Sequence, residues 1–149
     1  MNAKKNIAAV IDVGSHETSL RIAHLVRGSA PVLIDEVSRT IPVGVDTFTT
    51  GKINQVNLTQ IVDVLNDFKD KLKDYRVTTF RAFAASAFRE ATNGSYAIEQ
   101  IFIRTGIRVE ILSNSMDKEW DPTLCRTSRT TVNSCHECTG SGNQRISTY

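Results

Sequence analysis

The chain has few cysteines, little excess charge of either sign and no long apolar segment. Its 149 residues include three cysteines, all in the last quarter, and three thiols near one end do not make a disulfide framework. The 18 basic and 16 acidic residues leave a net charge of +2, too small to indicate binding to nucleic acid or to an acidic membrane. We therefore expect neither nucleic acid nor a membrane as a partner.

The apolar stretch nearest the N-terminus is also short. It ends at Asp12, whereas a secretory signal needs a longer apolar region and a cleavage site of small residues. No other run approaches the ~18 residues of a membrane span. The expected location is the cytoplasm.

The composition changes near Asn114. Before this point apolar residues recur with clear periods, but afterwards serine and threonine are dense and apolar residues stand alone. So few apolar groups cannot offset the entropy of ordering a chain. We predict a folded domain over residues 1–113 and a tail over 114–149 that is disordered or derives from a shifted reading frame.

The folded part has the pattern of an α/β domain. Apolar runs predict strands at residues 7–13, 18–26, 32–40, 77–84 and 108–112, the first two of which form a hairpin. Residues 41–53 contain Pro42, Gly44 and Gly51 and are expected to be a loop.

Two helices and a short helical turn at residues 86–91 complete the pattern. The first helix is predicted to be capped by Asn57, with Gln60 reaching back, and the second to be capped by Ser95 and to end at Gly106. One face of the first helix is apolar, with Leu58, Ile61, Val64, Leu65, Phe68 and Leu72. The order βββ-α-β-α-β predicts a mixed, twisted sheet with helices on its faces.

The first chemically informative motif is I-D-V-G-S-H-E at residues 11–17. A carboxylate closes a buried strand, a glycine follows, and a hydroxyl comes next. Successive backbone N–H groups in such a turn form an anion site, to which Ser15 can add a donor, and Asp12 can hold a water on Mg²⁺. An ordinary hairpin turn explains the same residues equally well.

The second motif is A-F-A-A-S-A-F-R-E-A at residues 82–91. It puts Arg89 near the end of a strand, where open α/β sheets bind ligands and where an arginine can fork onto phosphate oxygens. The residues alone favour a simpler interpretation, an exposed helix arginine paired with Glu90 or Glu99.

Four motifs together resemble the exopolyphosphatase and guanosine pentaphosphate phosphohydrolase family. They are V-I-D-V-G-S, T-G-K-I before an amphipathic helix, A-x-S-A-x-R-E-A-x-N-G, and T-G-I-x-V-E-I, in the family's order over residues 6 to about 113. The resemblance implies one ribonuclease-H-like half of the actin, Hsp70 and sugar-kinase type of fold. It also implies a full-length protein of two such domains, for which a homodimer is possible.

The resemblance further implies a hydrolase that removes terminal phosphate from polyphosphate or from guanosine pentaphosphate with Mg²⁺. Gly14 and Ser15 match the first phosphate loop, Asp12 matches its carboxylate, which holds Mg²⁺ through water, and Arg89 matches the motif arginine. Lys52 lies beside the T-G motif and receives no role.

The departures from the family pattern are concentrated at two places. His16 and Glu17 stand where the family has asparagine and serine, so a donor is lost and a repulsive carboxylate is added. The motif that carries the catalytic glutamate is replaced, leaving Asp117 as a weak stand-in that is one methylene shorter, and the second phosphate loop is absent. We therefore expect a truncated, inactive fragment; the alternative is a non-catalytic module that binds phosphate or nucleotide.

The cysteines of the tail are the remaining candidates. Cys135 and Cys138 form a C-x-x-C with His136 between them, and Cys125 lies ten residues upstream of Cys135. Adjacent Cys135 and His136 are awkward joint ligands and no second C-x-x-C exists. We predict no zinc site.

Overall fold

A computed structural model describes residues 6–112, which form one mixed sheet and four helices. The strands are β1 (Ile7–Val13), β2 (Glu17–His24), β3 (Val32–Thr40), β4 (Thr79–Ala84) and β5 (Val109–Ile111). The helices are α1 (Val43–Thr50), α2 (Gln55–Asp74), α3 (Ser86–Glu90) and α4 (Gly94–Thr105). The predicted α/β class and the five strands are confirmed.

The sheet has the order β3-β2-β1-β4-β5. β1 pairs antiparallel with β2, and β2 with β3, as the predicted hairpins require. β1 pairs in parallel with β4, and β4 with β5. Parallel neighbours need a crossover connection, and the helices between these strands supply it.

The hydrophobic core lies on one face of this sheet. Alternate residues of β1, namely Ala9, Ile11 and Val13, join buried residues of all four helices in a single cluster. Most of the predicted apolar face of α2 is buried, namely Leu58, Ile61, Leu65, Phe68 and Leu72. Val64 is half-buried, and Val62, outside the predicted set, is buried. Within residues 6–112, no helix combines the length and the apolar character needed to cross a membrane.

The prediction of a loop over residues 41–53 is wrong, because this segment contains helix α1. Pro42 immediately precedes the helix, and Gly51 ends it in the left-handed conformation with φ 73°. Both residues therefore bound the helix rather than interrupt it. Gly44 lies in the first turn of the helix, where its N–H donates to the Ser15 carbonyl.

Two helix starts also differ from the prediction. α2 is capped by Asn54, whose Oδ1 accepts a hydrogen bond of 2.7 Å from the Asn57 N–H, so Asn57 lies inside the first turn. α4 begins at Gly94 after Asn93 and not at Ser95, whereas its end at Gly106 is as predicted.

β3 is an edge strand with an apolar and exposed beginning. Val32, Leu33 and Ile34 are 56%, 49% and 43% exposed. The strand carries charged side chains further on, and Arg21 of β2 pairs with Glu36 of β3 at 2.7 Å. Charges on an edge strand discourage pairing with another chain.

A polar cluster joins β3 to the end of α2. Asp35 Oδ2 accepts hydrogen bonds from Lys71 Nζ at 2.6 Å and from the Tyr75 hydroxyl at 2.8 Å. The hydrogen bond from Lys71, followed by that from Tyr75, lowers the pKa of Asp35. The same carboxylate raises the pKa of Lys71 and of Tyr75.

We predict that Asp35→Asn lowers stability at neutral pH and that its effect fades in acid. Because the pKa of Asp35 is lower in the folded state, its stabilisation is complete above the unfolded value of about 3.9 and is lost as the pH falls through the folded value. Urea unfolding of both proteins between about pH 3 and pH 7 measures this. Ser38→Ala, on the same strand, is the control without an ionisable group, and a pH-independent difference for Asp35→Asn would contradict the prediction.

Gly94→Ala should destabilise the domain by about 3 kcal/mol or more. A Cβ at this position would lie 1.8 Å from the Phe88 carbonyl oxygen, which belongs to backbone and cannot move aside cheaply. Gly28→Ala is the control, because its φ is +77° but no atom lies within 4 Å of the added carbon. The control should cost only about 1–2 kcal/mol. Equal losses in urea unfolding would show that the contact with Phe88 is not the cause.

Candidate functional site

The carboxyl ends of the three parallel strands meet at one edge of the sheet. Val13 of β1 is in register with Ala84 of β4, and Ala84 with Ile111 of β5. The turn at residues 14–17 follows β1 and helix α3 follows β4. The two predicted motifs, which are about 70 residues apart in sequence, are therefore brought to the same edge. Ligands bind at such edges in open α/β sheets.

The turn after β1 is closed by its own backbone. The Gly14 N–H donates to the Glu17 carbonyl at 2.9 Å, and a Cβ on Gly14 would lie 2.7 Å from that oxygen. The position therefore requires glycine for close approach. We call residues 14–17 the Ser15 turn.

Ser15 carries donors that the rest of the described chain does not use. Within residues 6–112, neither its hydroxyl nor its amide makes a hydrogen bond, and the amide of His16 makes none. Ser15 is half-buried, whereas His16 and Glu17 are exposed. Consecutive N–H groups and a hydroxyl at one turn can bind an anion, as predicted from the motif.

Helix α1 packs directly against the Ser15 turn. The Gly44 N–H donates to the Ser15 carbonyl at 2.7 Å, and the Ile41 N–H donates to the His16 carbonyl at 2.9 Å. A Cβ on Gly44 would lie 3.0 Å from Ser15 Cβ. Gly44 thus allows the helix to reach the turn, a role that the sequence analysis missed by treating the segment as a loop.

Arg89 lies at the predicted edge and holds the chain after β5. Its Nη1 donates to the Leu112 carbonyl at 2.7 Å, and its side chain is half-buried. The predicted pairing with Glu90 or Glu99 is absent among the hydrogen bonds and ion pairs of residues 6–112. A guanidinium has five N–H donors, so one backbone contact leaves others for an anion.

The T-G-K-I and N-G motifs bind each other. The Asn93 amide accepts from the Ile53 N–H and donates to the Ile53 carbonyl, both at 2.8 Å, and Thr92 N–H donates to the Gly51 carbonyl at 2.8 Å. Asn93 thereby completes the backbone hydrogen bonds of a loop residue 40 positions away. Lys52 between them is exposed. These motif residues therefore hold two segments of the chain together, a role that their spacing in the sequence did not predict.

Asp12 is exposed at the end of β1, on the face of the sheet away from the core. Within residues 6–112, no three His, Cys, Asp or Glu side chains are arranged to hold a metal ion. A single carboxylate suits Mg²⁺ better than metals that need a full protein cage, because Mg²⁺ keeps waters and takes phosphate oxygens. Asp12 therefore fits a Mg²⁺ bound through water. Asp117 and the cysteines at 125, 135 and 138 lie outside the described residues.

Residues 22–119 match the Ppx/GppA phosphatase family. This segment is more than half of the chain. The chain belongs to that family. The match begins within β2, so the Ser15 turn precedes it, and it continues to include Asp117.

Curated relatives within the Ppx/GppA family are exopolyphosphatases. The chain is 28% identical over 103 residues to exopolyphosphatase 1 of Mycobacterium leprae, and 25% identical over 103 residues to that of Mycobacterium tuberculosis. Each alignment covers 69% of this chain and 30% of the relative. The chain thus spans less than a third of the length of these proteins.

Solved structures of the Ppx/GppA family share the fold. The Aquifex aeolicus family member superposes with a TM-score of 0.69 at 27% identity, covering 72% of this chain and 35% of that one. An exopolyphosphatase from Cytophaga hutchinsonii gives 0.68 at 25% identity, covering 73% and 35%. The expected half of an actin-like fold is confirmed.

Removing the Arg89 guanidinium should loosen the end of β5. Arg89→Met keeps the length of the side chain but loses the charged hydrogen bond to the Leu112 carbonyl, at a cost of about 1–2 kcal/mol for a half-exposed group. The local readout is hydrogen exchange at the Leu112 N–H, which donates to Ala84 at 3.1 Å. Arg104→Met on α4 is the control. Unchanged Leu112 exchange in Arg89→Met would refute this role.

Proposed function

We propose that this chain forms one wall of the phosphate cleft of a phosphoanhydride hydrolase. The substrate of the complete enzyme is inorganic polyphosphate or guanosine pentaphosphate, from which it removes a terminal phosphate. Membership of the Ppx/GppA phosphatase family supports the class of reaction. The name of the mycobacterial relatives supports polyphosphate as one substrate.

The unused donors of the Ser15 turn are the observation that carries this proposal. The amides of Ser15 and His16 and the Ser15 hydroxyl have no partner among residues 6–112, and Arg89 lies at the same edge with further N–H groups. In this proposal Gly14 allows the tight turn, Ser15 donates to a phosphate oxygen, and Arg89 adds positive charge. Donors that are already oriented toward an anion site before the anion binds need no reorganisation on binding.

Mg²⁺ is the cofactor in this proposal. Asp12 would hold the ion through a water molecule, which fits its exposed position at the end of β1. A bound Mg²⁺ neutralises charge on the phosphate oxygens during transfer. The contribution of the chain itself is to present the Asp12 carboxylate beside the Ser15 turn.

Little or no hydrolysis is proposed for this chain alone. In-line attack needs a positioned water and charge-stabilising groups on both sides of the phosphate. The glutamate that the family resemblance implies is replaced near Asp117, and the second phosphate loop is absent from the sequence. Homodimerisation of the complete enzyme belongs to the same proposal.

A non-catalytic binding module is the second candidate. It is suggested by His16 and Glu17 in the Ser15 turn, which replace the asparagine and serine of the family pattern and are exposed, because this departure fits relaxed catalysis. A protein that no longer needs to catalyse hydrolysis can tolerate the carboxylate of Glu17. The two candidates differ in the expected affinity: one wall of a cleft should bind weakly, near millimolar, and a dedicated module near micromolar, a difference of about 4 kcal/mol.

The test combines calorimetric binding of tripolyphosphate with phosphate release from long-chain polyphosphate, both with Mg²⁺. We expect binding without release, and a loss of affinity of about tenfold in Ser15→Ala, because a hydrogen bond to a charged group is removed. Ser29→Ala, in the turn at the other end of β2, is the matched control. Asp12→Asn should reduce the gain in affinity that Mg²⁺ gives.

Two results would contradict the proposal. If Ser15→Ala binds as tightly as Ser29→Ala, the Ser15 turn is not the anion site. Phosphate release by the pure chain that both Asp12→Asn and Arg89→Met abolish would show that the chain builds a complete active site. The expectation of little or no hydrolysis would then be wrong.

A further inference from the structure

Helix α1 contacts both elements of the candidate site. At its beginning the Gly44 N–H donates to the Ser15 carbonyl at 2.7 Å. One turn later the Thr47 hydroxyl donates to the Ala87 carbonyl of α3 at 3.2 Å. Helix α3 carries Arg89, so a single rigid turn of α1 lies between the Ser15 turn and the helix of the motif arginine.

The hydroxyl of Thr47 differs from its neighbours in what it binds. Thr49 and Thr50 donate to carbonyls of α1 itself, those of Val45 and Asp46, at 2.6 and 2.8 Å. Thr47 is buried and donates to another element. Three threonines on one helix thus offer an internal comparison of the same side chain in two roles.

The Ala87 carbonyl does not need Thr47 to be satisfied. It also accepts a hydrogen bond from the Ala91 N–H at 3.1 Å. Loss of the Thr47 hydroxyl therefore leaves no unpaired buried acceptor, which is the situation that makes a lost hydrogen bond most costly. The effect of this contact is to fix where α1 lies against α3.

We propose that α1 sets the separation between the Ser15 turn and Arg89, and that Thr47 is the positioning residue that fixes it. The inference deepens the proposed function, on which it rests. Gly44 and Thr47 are three residues apart, about 4.5 Å along the helix axis, and lie on neighbouring turns of one face. Polyphosphate oxygens must meet donors of both elements at once, so a displacement of about 0.5 Å at either one weakens binding.

The experiment compares tripolyphosphate affinity in Thr47→Val, Thr47→Ser and Thr49→Val by calorimetry with Mg²⁺. We expect Thr47→Val to raise the dissociation constant about threefold to tenfold. Thr47→Ser, which keeps the hydroxyl, and Thr49→Val, which loses a contact within the helix, should stay within about twofold of the parent. If Thr47 had a merely structural role, these three variants would not differ in affinity while their urea midpoints remain alike.

Hydrogen exchange at the Gly44 N–H gives a second readout that needs no ligand. We expect this amide to exchange faster in Thr47→Val than in Thr49→Val, because α1 is released from α3 and moves relative to the Ser15 turn. Equal exchange in the two variants, or equal affinity, would overturn the inference. If the parent protein does not bind tripolyphosphate, the proposed function fails, and the exchange at Gly44 still decides whether Thr47 places the turn.

Discussion

The parallel pairing of β1 with β4 is the contact on which the rest of the arrangement depends. It aligns Val13 with Ala84 and so brings two turns, remote in sequence, to one edge of the sheet. The hydrogen bonding between the two strands continues one residue past the end of β4, where the Ala85 N–H donates to the Val13 carbonyl at 3.0 Å. Without this register, the Ser15 turn and Arg89 would have no common location.

A second set of contacts stabilises the loops around that edge of the sheet. Asn93 binds Ile53, Arg89 binds the Leu112 carbonyl, and Gly44 binds the Ser15 carbonyl, so side chains and close approaches satisfy backbone groups that regular elements leave open. Arg89, which its motif assigns to phosphate binding, also holds the chain after β5, so one of its donors is already committed to the backbone.

Much of the fold could be predicted from periodicity. The five strands and the buried face of α2 follow from apolar spacing, since burial on one side imposes a period on the sequence. Helix α1 could not be predicted in the same way. It is eight residues long and begins and ends beside Pro42 and Gly51, and Gly44 inside it reflects a tertiary contact with Ser15 that no local pattern encodes. The cap at Asn54 was missed because asparagines and threonines nearby offer equivalent capping atoms. The start of α4 was missed because Asn93 precedes it without a side-chain cap, its amide being bonded to Ile53.

For the candidate site, the place of its residues in the fold was predictable, but their contacts were not. Strand ends locate Ser15 and Arg89, because topology follows from the order of elements. The hydrogen bond from Thr47 to Ala87 spans 40 residues and depends on how two helices pack, so no spacing rule could have found it. Glu17 was expected to disturb an anion, and its exposure leaves that expectation in place.

The apolar beginning of β3 has a practical consequence for anyone who handles this protein. At Val32, Leu33 and Ile34 the strand is apolar and exposed, and within residues 6–112 it pairs with β2 on one side only. The ion pair of Glu36 with Arg21 lies in the later part of the strand. The apolar stretch therefore gives a second chain an edge to pair with, which favours association in concentrated samples. A lysine in place of Leu33 would be the simplest way to keep the protein in solution.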